Sequence, residues 1–567
     1  MSDKKNTLKL VLCWHMHQPE YRDLQSGEFK QPWVYLHVIK DYIDMVAHLE
    51  AVPHAKAVVN FAPILLEQIE EYARQVNCYL HDRISLTDPL LSALVDPVIP
   101  ADSDARFKLV KDCLRANRER QINRYPPFQK LIEMAEWIEH HYDSLNYINS
   151  QFISDILVWY HLAWMGETIK LTDSRIKRLI AKGDGFTLHD RIEVVEVIGE
   201  HLSNVILRYK VLARKGQIEL SVTPYAHPIM PLLLDINSTH EAMPGAPLPE
   251  LDAYPGGEDR VKWHIETGIQ SFRRFFGFKP KGCWPSEGSV SGATLQLLAE
   301  YGFEWAASGG TVLGNSLNLP ENSEIKYKSM HQPYRLKKSG VACFFRDDGL
   351  SDLIGFEYSK WHAYDAVSDL IQHLENIAQH ASGNLVVPII MDGENAWEYF
   401  PDNGYHFLKE LYQRLSAHPY IELTTFSECL KNKVEVKQLN KLVAGSWVYG
   451  TFSTWIGDID KNRGWDMLGD AKWVFDKVIA GNRLTEEQVA AAEHQLAICE
   501  GSDWFWWFGD YNPGEAVSNF EKQFRLNLAN LYRLLGETPP AYLSLSFTQG
   551  SGAPAMGGAM RPGIEQI

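Results

Sequence analysis

Two carboxylates stand out by what surrounds them. Glu287 ends the stretch Gly282-Cys-Trp-Pro-Ser-Glu, where a short apolar run turns through Pro285 and Gly288 towards a helix-like segment. A carboxylate there is held by stiff backbone and can attack or stabilise an electron-poor carbon, with Trp284 beside it able to stack on a flat sugar face. The same position also suits an ordinary acid at a helix N-terminus. Asp392 closes the apolar run Leu385-Val-Val-Pro-Ile-Ile-Met and is followed by Gly393, Glu394, Asn395 and Trp397. Burial and a neighbouring carboxylate raise the pKa of an acid, which a general acid needs near neutral pH. A plain turn aspartate before glycine needs neither.

His15 and His17 are two apart, so on a strand they face the same side. They could hydrogen-bond sugar hydroxyls, ligate a metal or sit satisfied inside a barrel. A metal would need a third ligand, for which His227 and Asp347 are candidates. Sugar hydrogen bonding accounts for the pair most simply, and the expectation is no metal and no cofactor. The chain has 17 tryptophans, and Trp447, Trp455, Trp504, Trp506 and Trp507 stand beside glycines or acids. A glucan offers flat C–H faces between hydroxyls, so a groove of aromatics and carboxylates is what its binding requires.

These residues must be placed by the elements around them. Leu8-Lys-Leu-Val-Leu-Cys-Trp reads as a buried strand, and similar apolar runs recur at residues 57–61, 218–222, 385–391 and 420–425. Several end in residues able to do chemistry. Strands that deliver polar side chains at their C-terminal ends, with helices between, predict a parallel α/β barrel with its site at that rim. Residues from about 104 to 210 are helical in pattern, too many for one crossover, and read as an insertion. Residues 1–430 are expected to form the catalytic unit with that insertion, residues 431–546 a helical domain contributing to the site, and residues 547–567, rich in Gly, Ala and Pro, a mobile tail.

The bulk composition narrows the partners. Over 567 residues the chain is 45% hydrophobic and 22% charged with a net charge of −17, which suits a soluble protein and repels nucleic acid and anionic membranes. No apolar run reaches the length of a membrane span, and the N-terminal apolar stretch is too short for a signal peptide. Seven cysteines without CxxC pairs suit reduced thiols. A cytoplasmic location is expected.

Five segments together resemble glycoside hydrolase family 57. His15-Met-His-Gln-Pro is similar to its first motif, and Gly216-Gln-Ile-Glu-Leu with Pro224-Tyr-Ala-His-Pro to its second. Trp284-Pro-Ser-Glu resembles the third, whose glutamate is the nucleophile. Met391-Asp-Gly-Glu-Asn resembles the fourth, whose aspartate is the acid/base, and Glu500-Gly-Ser-Asp-Trp-Phe-Trp-Trp the fifth. The resemblance implies an incomplete (β/α)7 barrel with a helical insertion, followed by a C-terminal helical domain. It implies a retaining hydrolase of α-1,4 bonds, with α-1,6 bonds as an extension, in starch, glycogen or maltodextrins, of the α-amylase and amylopullulanase type, with Glu287 and Asp392 catalytic. His15, His17, His227, Trp284, Glu394, Trp397, Trp455, Asp503, Trp504 and Trp506 are the expected substrate contacts. A 4-α-glucanotransferase or branching enzyme would share this chemistry. A metal-dependent polysaccharide deacetylase is the alternative from another class, and the oligomeric state is not legible.

Overall fold

The computed structural model describes residues 7–318, 329–337, 339–380 and 385–552. Among the described residues, a wall of parallel strands runs through β1 (Leu8–Met16), β2 (Ala57–Phe61), β3 (Ile218–Val222), β4 (Gly282–Cys283), β5 (Trp305–Ser308), β6 (Ala342–Phe345) and β7 (Val386–Asp392). Their spatial order is β7-β1-β2-β3-β4-β5-β6. Parallel neighbours need helical crossovers, which cover the outside of the sheet and make its strands apolar on both faces. The sheet curls until its two end strands meet at the rim. There the Asp347 N–H donates to the Pro388 carbonyl at 2.8 Å, and Arg346 Nε donates to the Ile390 carbonyl at 2.8 Å. Ile421–Leu423 pairs with the first half of β1, and β2 pairs with its second half. The barrel is therefore incomplete, as the sequence implies.

Strand alternation sorts the side chains into two cores. Val11 and Cys13 of β1, Val58 of β2, Ala307 of β5, Phe344 of β6 and Ile390 of β7 fill the barrel interior with Trp284 and Trp305. Leu10, Leu12 and Trp14, Val59, Val387 and Ile389 point outward into the larger core under the helices. Continuing the inward parity to the C-terminal rim places His15, Asn60, Arg346 and Asp392 around one opening. In-register pairing sets His15 beside both Asp392 and Asn60.

Helices from Ser103–Asp112 to Leu188–Arg214 fill the insertion between β2 and β3. The last of them is 27 residues long and starts at a capping box of Thr187 and Asp190, which satisfies its first free N–H groups. After β7 the chain stays with the barrel longer than the expected boundary at 431. Lys437–Leu439 pairs with Tyr334–Leu336, and the Trp447 N–H reaches the Glu287 carbonyl at 3.0 Å. Helices Ile459–Ala480, Glu486–Cys499, Ser502–Trp507 and Gly514–Leu534 follow. Part of the expected mobile tail is fastened to them. Phe547 packs edge-on against Phe508, and Thr548 accepts from the Gly509 N–H and donates to Asp460. Residues 553–567 of that tail lie outside the described residues.

Candidate active site

A cleft of about 580 Å³ opens at the C-terminal rim of the barrel. Its floor carries His15, His17, Glu287, Arg346, Asp392 and Glu394. One wall comes from Trp33, Arg115 and Trp164, and the other from Asp503, Trp506, Trp507 and Phe520. Thus the barrel, the insertion and the C-terminal helices all contribute.

Glu287 is delivered by a short turn after β4 in which it adopts the left-handed conformation, φ 58° and ψ 23°. A non-glycine residue there carries strain of order 1 kcal/mol that the surroundings must hold. Trp447 holds it at both ends: its main-chain N–H binds the Glu287 carbonyl, and its indole N–H donates to Glu287 Oε2 at 2.9 Å. Burial pushes the Glu287 carboxyl well above the usual range, and the charges of Asp392 and Asp503 push it further, while the indole pulls it back. Asp392 is also raised, chiefly by burial, against the Asn395 amide bonded at 2.9 Å and the nearby His17 and Arg346. Two carboxyls whose charges act on each other release their protons one after the other, so between the two steps the pair carries one proton.

Behind this pair runs a chain of neutral hydrogen bonds. Burial holds the His15 imidazole down at about 3 and His227 well below its ordinary value, so both are neutral. Their partners then order the protons. The Ser502 hydroxyl donates to His227 Nδ1 at 2.8 Å, His227 Nε2–H to His15 Nε2 at 3.2 Å, and His15 Nδ1–H to Asn60 Oδ1 at 2.7 Å. Asn60 completes the chain by donating to Ser221. His17 takes a different partner, the Asp503 carboxylate, at 2.8 Å.

His17, His227 and Asp503 present possible ligand atoms within 4.8 Å of one another. Yet the two imidazoles lie stacked, with centroids 3.7 Å apart and planes inclined by 17°. Stacked rings aim their in-plane lone pairs side by side, not at one point, and both nitrogens of His227 are already bonded. The grouping fits a hydrogen-bonded cluster, of which His17 and Asp503 line the cleft, better than a tetrahedral metal.

The model of glycosyl hydrolase family 57 matches residues 11–443. The chain belongs to glycosyl hydrolase family 57. Solved structures of similar fold include a family 57 branching enzyme from Pyrococcus horikoshii, 16% identical over 96% of this chain and 92% of that one, with a TM-score of 0.57. The α-amylase AmyC from Thermotoga maritima is 14% identical over 94% of both chains, with a TM-score of 0.54. A 4-α-glucanotransferase from Thermococcus litoralis is 15% identical over 93% of this chain and 60% of that one, with a TM-score of 0.50. No curated protein sequence matches the chain. Membership in family 57 displaces the metal-dependent deacetylase reading.

Of the expected substrate contacts in this family 57 chain, His15, His17, Glu394, Asp503 and Trp506 line the cleft together with Glu287 and Asp392. His227, Trp284, Trp397, Trp455 and Trp504 do not: all are buried behind it. Trp284 follows the outward-facing Cys283 and so turns into the barrel, where it plugs the interior edge-on against Trp447. Trp397 bonds the Gly393 carbonyl and packs on Trp14. Trp455 backs Trp506, and Trp504 bonds the Ile498 carbonyl under Phe520. Asn60, Ser502 and Arg346 belong to the site as well, beyond the expected contacts. For Asn60 and Arg346 the signal was available, since each lies two residues beyond an inward apolar residue, Val58 and Phe344.

Proposed function

We propose that this family 57 protein is a retaining enzyme for α-1,4-linked glucans, with Glu287 as nucleophile and Asp392 as general acid/base. The observation that carries this is the meeting of Glu287 and Asp392, from opposite parts of the barrel, as an electrostatically coupled pair in one aromatic-walled cleft. Glu287 attacks the anomeric carbon while Asp392 gives its proton to the glycosidic oxygen, leaving a glucosyl ester on Glu287. Asp392 then takes a proton from the incoming hydroxyl as that hydroxyl displaces the ester. Burial raises both carboxyls, and at Glu287 the Asp392 and Asp503 charges push the same way, which would favour it as the acid. The positive charge that develops on the sugar ring next to Glu287 opposes this, and the motif correspondence assigns the roles as stated.

Azide separates the two assignments. Glu287→Ala with an activated α-glucoside should lose turnover and, given azide, yield a β-glycosyl azide by direct displacement. Asp392→Ala should still form the glycosyl-enzyme, from which azide gives the α-anomer. The opposite pairing of anomers reverses the roles.

Water and a second sugar compete for the same intermediate. Two aromatic pairs line the cleft from different parts of the chain, Trp33 with Trp164 at 5.8 Å and Trp507 stacked on Phe520 at 5.0 Å. Such surfaces could hold an acceptor sugar, and they support the transferase reading alongside hydrolysis, as do the branching enzyme and glucanotransferase among the similar structures. Incubation with maltotriose decides, because only transfer gives products longer than the substrate. The free thiols of all seven cysteines support a reducing, cytoplasmic setting, and no helix among the described residues is long and apolar enough to cross a membrane.

A further inference from the structure

Glu394 lies two residues beyond Asp392 and is 2% exposed. Its Oε1 accepts from the Gln18 side-chain amide at 3.2 Å and from the His17 main-chain N–H at 3.4 Å. Its Oε2 is buried and has no hydrogen-bond partner. Charged and titratable groups face it from several elements. Asp392 and Asp41 are the acidic ones, and Asp41 is itself paired with Lys40 and His37. Tyr21, Tyr42 and Tyr209 face it as hydroxyls, of which Tyr21 donates to Gln18 and Tyr209 to the Tyr42 carbonyl. No cationic side chain forms an ion pair with Glu394 among the described residues.

A carboxylate oxygen left bare in such a place costs far more than a bare hydroxyl, because the charge has neither water nor a counter-ion. The geometry of Oε1 suits a carbonyl oxygen that accepts twice. We propose that Glu394 is a positioning residue that works as a neutral carboxylic acid, tying the end of β1 to the end of β7 without adding a charge beside Asp392. Burial first, and then the Asp392 and Asp41 charges, push its carboxyl in the same direction. The consequence rests on the reading of Glu287 and Asp392 as the reacting pair. A third full charge two residues away would bind the proton of Asp392 more tightly and slow its donation. With Glu394 neutral, the brace fixes His17 and Gln18 and leaves the titration to the pair.

The test uses Glu394→Gln, which keeps the accepting oxygen and the neutral state, and Glu394→Ala, which removes the brace. Glu394→Gln should leave both limbs of the pH profile where they are in wild type, and Glu394→Ala should lose about ten- to a hundredfold more kcat/KM than Glu394→Gln as His17 and Gln18 shift. An infrared difference spectrum of wild type minus Glu394→Gln at pH 7 should contain the C=O band of a protonated carboxyl. A carboxylate band in its place, an acid limb moved to lower pH in Glu394→Gln, or equal losses in the two variants would overturn the proposal. An unimpaired Glu394→Ala would overturn the bracing role. The infrared measurement needs no turnover, so it reports on Glu394 even if the glucan reading fails.

Discussion

Glu287 and Glu500 are glutamates of one chain with little or no contact with water, yet they are driven in opposite directions. The Glu500 side chain is 0% exposed, and the Glu287 side chain keeps 13% open towards the cleft. Around Glu500 the chain assembles donors. Arg260 Nε and Nη2 each reach it at 2.9 Å, His264 Nε2–H at 2.8 Å and the Tyr254 hydroxyl at 2.7 Å. Burial alone would raise its pKa, but the Arg260 charge and these bonds pull it to about 2. His264 is itself lowered by burial, and Arg260 is the leading counter-charge of Glu500. Around Glu287 there is one indole N–H, and the nearby charges are negative. Burial thus does not decide the charge of a carboxylate here; partners do. The satisfied site clamps the helix Gly257–Phe276 to the C-terminal helices, and the unsatisfied one is left able to exchange a proton and a bond.

The sharpest way to break the comparison is to neutralise each glutamate. Glu287→Gln should lower kcat by about four orders of magnitude or more, since the amide does not attack the anomeric carbon. Its stability should move the other way. A carboxyl whose folded pKa lies above its unfolded one opposes folding as pH rises past the unfolded value, and the penalty persists at neutral pH. Removing it should raise Tm at pH 7 by roughly 1–2 °C, and the gain should vanish below about pH 4, where both forms are neutral. A lower Tm at pH 7 would mean that Glu287 is not destabilised in its charged form.

At the other site the effect falls on stability alone. Arg260→Leu leaves the Glu500 charge buried without its counter-ion, a loss of about 3–5 kcal/mol for breaking such a pair. Urea unfolding at pH 7 measures it. The wild-type contribution is fully present above the ordinary carboxylate pKa and is lost only as pH falls towards about 2. Adding Glu500→Gln to Arg260→Leu should recover part of the loss, because no charge then remains to be stranded. A double variant as unstable as the single one would put the loss in packing.

A third contrast concerns neighbouring tryptophans. Trp506, on the cleft wall, should raise KM about tenfold when replaced by alanine. Trp504, 1% exposed in the core, should instead cost about 3–5 kcal/mol of stability as a buried Trp→Ala change. Steady-state kinetics and urea titration on the two variants separate the effects, and a large stability loss in Trp506→Ala alone would invert the assignment.

These contrasts also mark what was legible in the sequence. The apolar runs and the polar residues after them disclosed the barrel and its rim, because strand period and burial are local properties. Asp392, His15 and His17 followed from that. Adjacency to Glu287 suggests a sugar platform at Trp284, whereas strand parity turns its ring into the interior beside Trp305. Trp33 and Trp164 were not legible as walls of the cleft. They reach it from the short helix Trp33–His37 after β1 and from the insertion, and only the packing of the helix Ser150–Trp164 brings them together. Glu500 read as part of a substrate motif, yet it serves the clamp, while Asp503, three residues on, faces the cleft. Glu500 caps the end of the helix Glu486–Cys499 and Asp503 opens the next one, Ser502–Trp507, so no single local pattern says which of them faces sugar.

The smallest expected effect bears most directly on why Glu287 can be charged at all. Its favourable side-chain bond comes from the Trp447 indole N–H, and that bond lowers the pKa which burial and Asp392 raise. Trp447→Phe keeps an aromatic ring near Arg346, whose guanidinium lies 5.5 Å from the Trp447 ring, but deletes the N–H. The Glu287 pKa should then rise further. Since Glu287 attacks only as the carboxylate, the acid limb of kcat/KM against pH should move to higher pH, with a modest loss of rate on the plateau. The basic limb belongs to Asp392, whose bond to Asn395 and whose neighbour Arg346 are untouched, so it should stay in place. A maltooligosaccharide, whose sugar leaving group must be protonated so that both limbs are visible, gives the measurement. Movement of the basic limb alone would identify Glu287 as the proton donor and exchange the two roles, and an unmoved profile would mean that the indole bond is too weak to set the charge of Glu287.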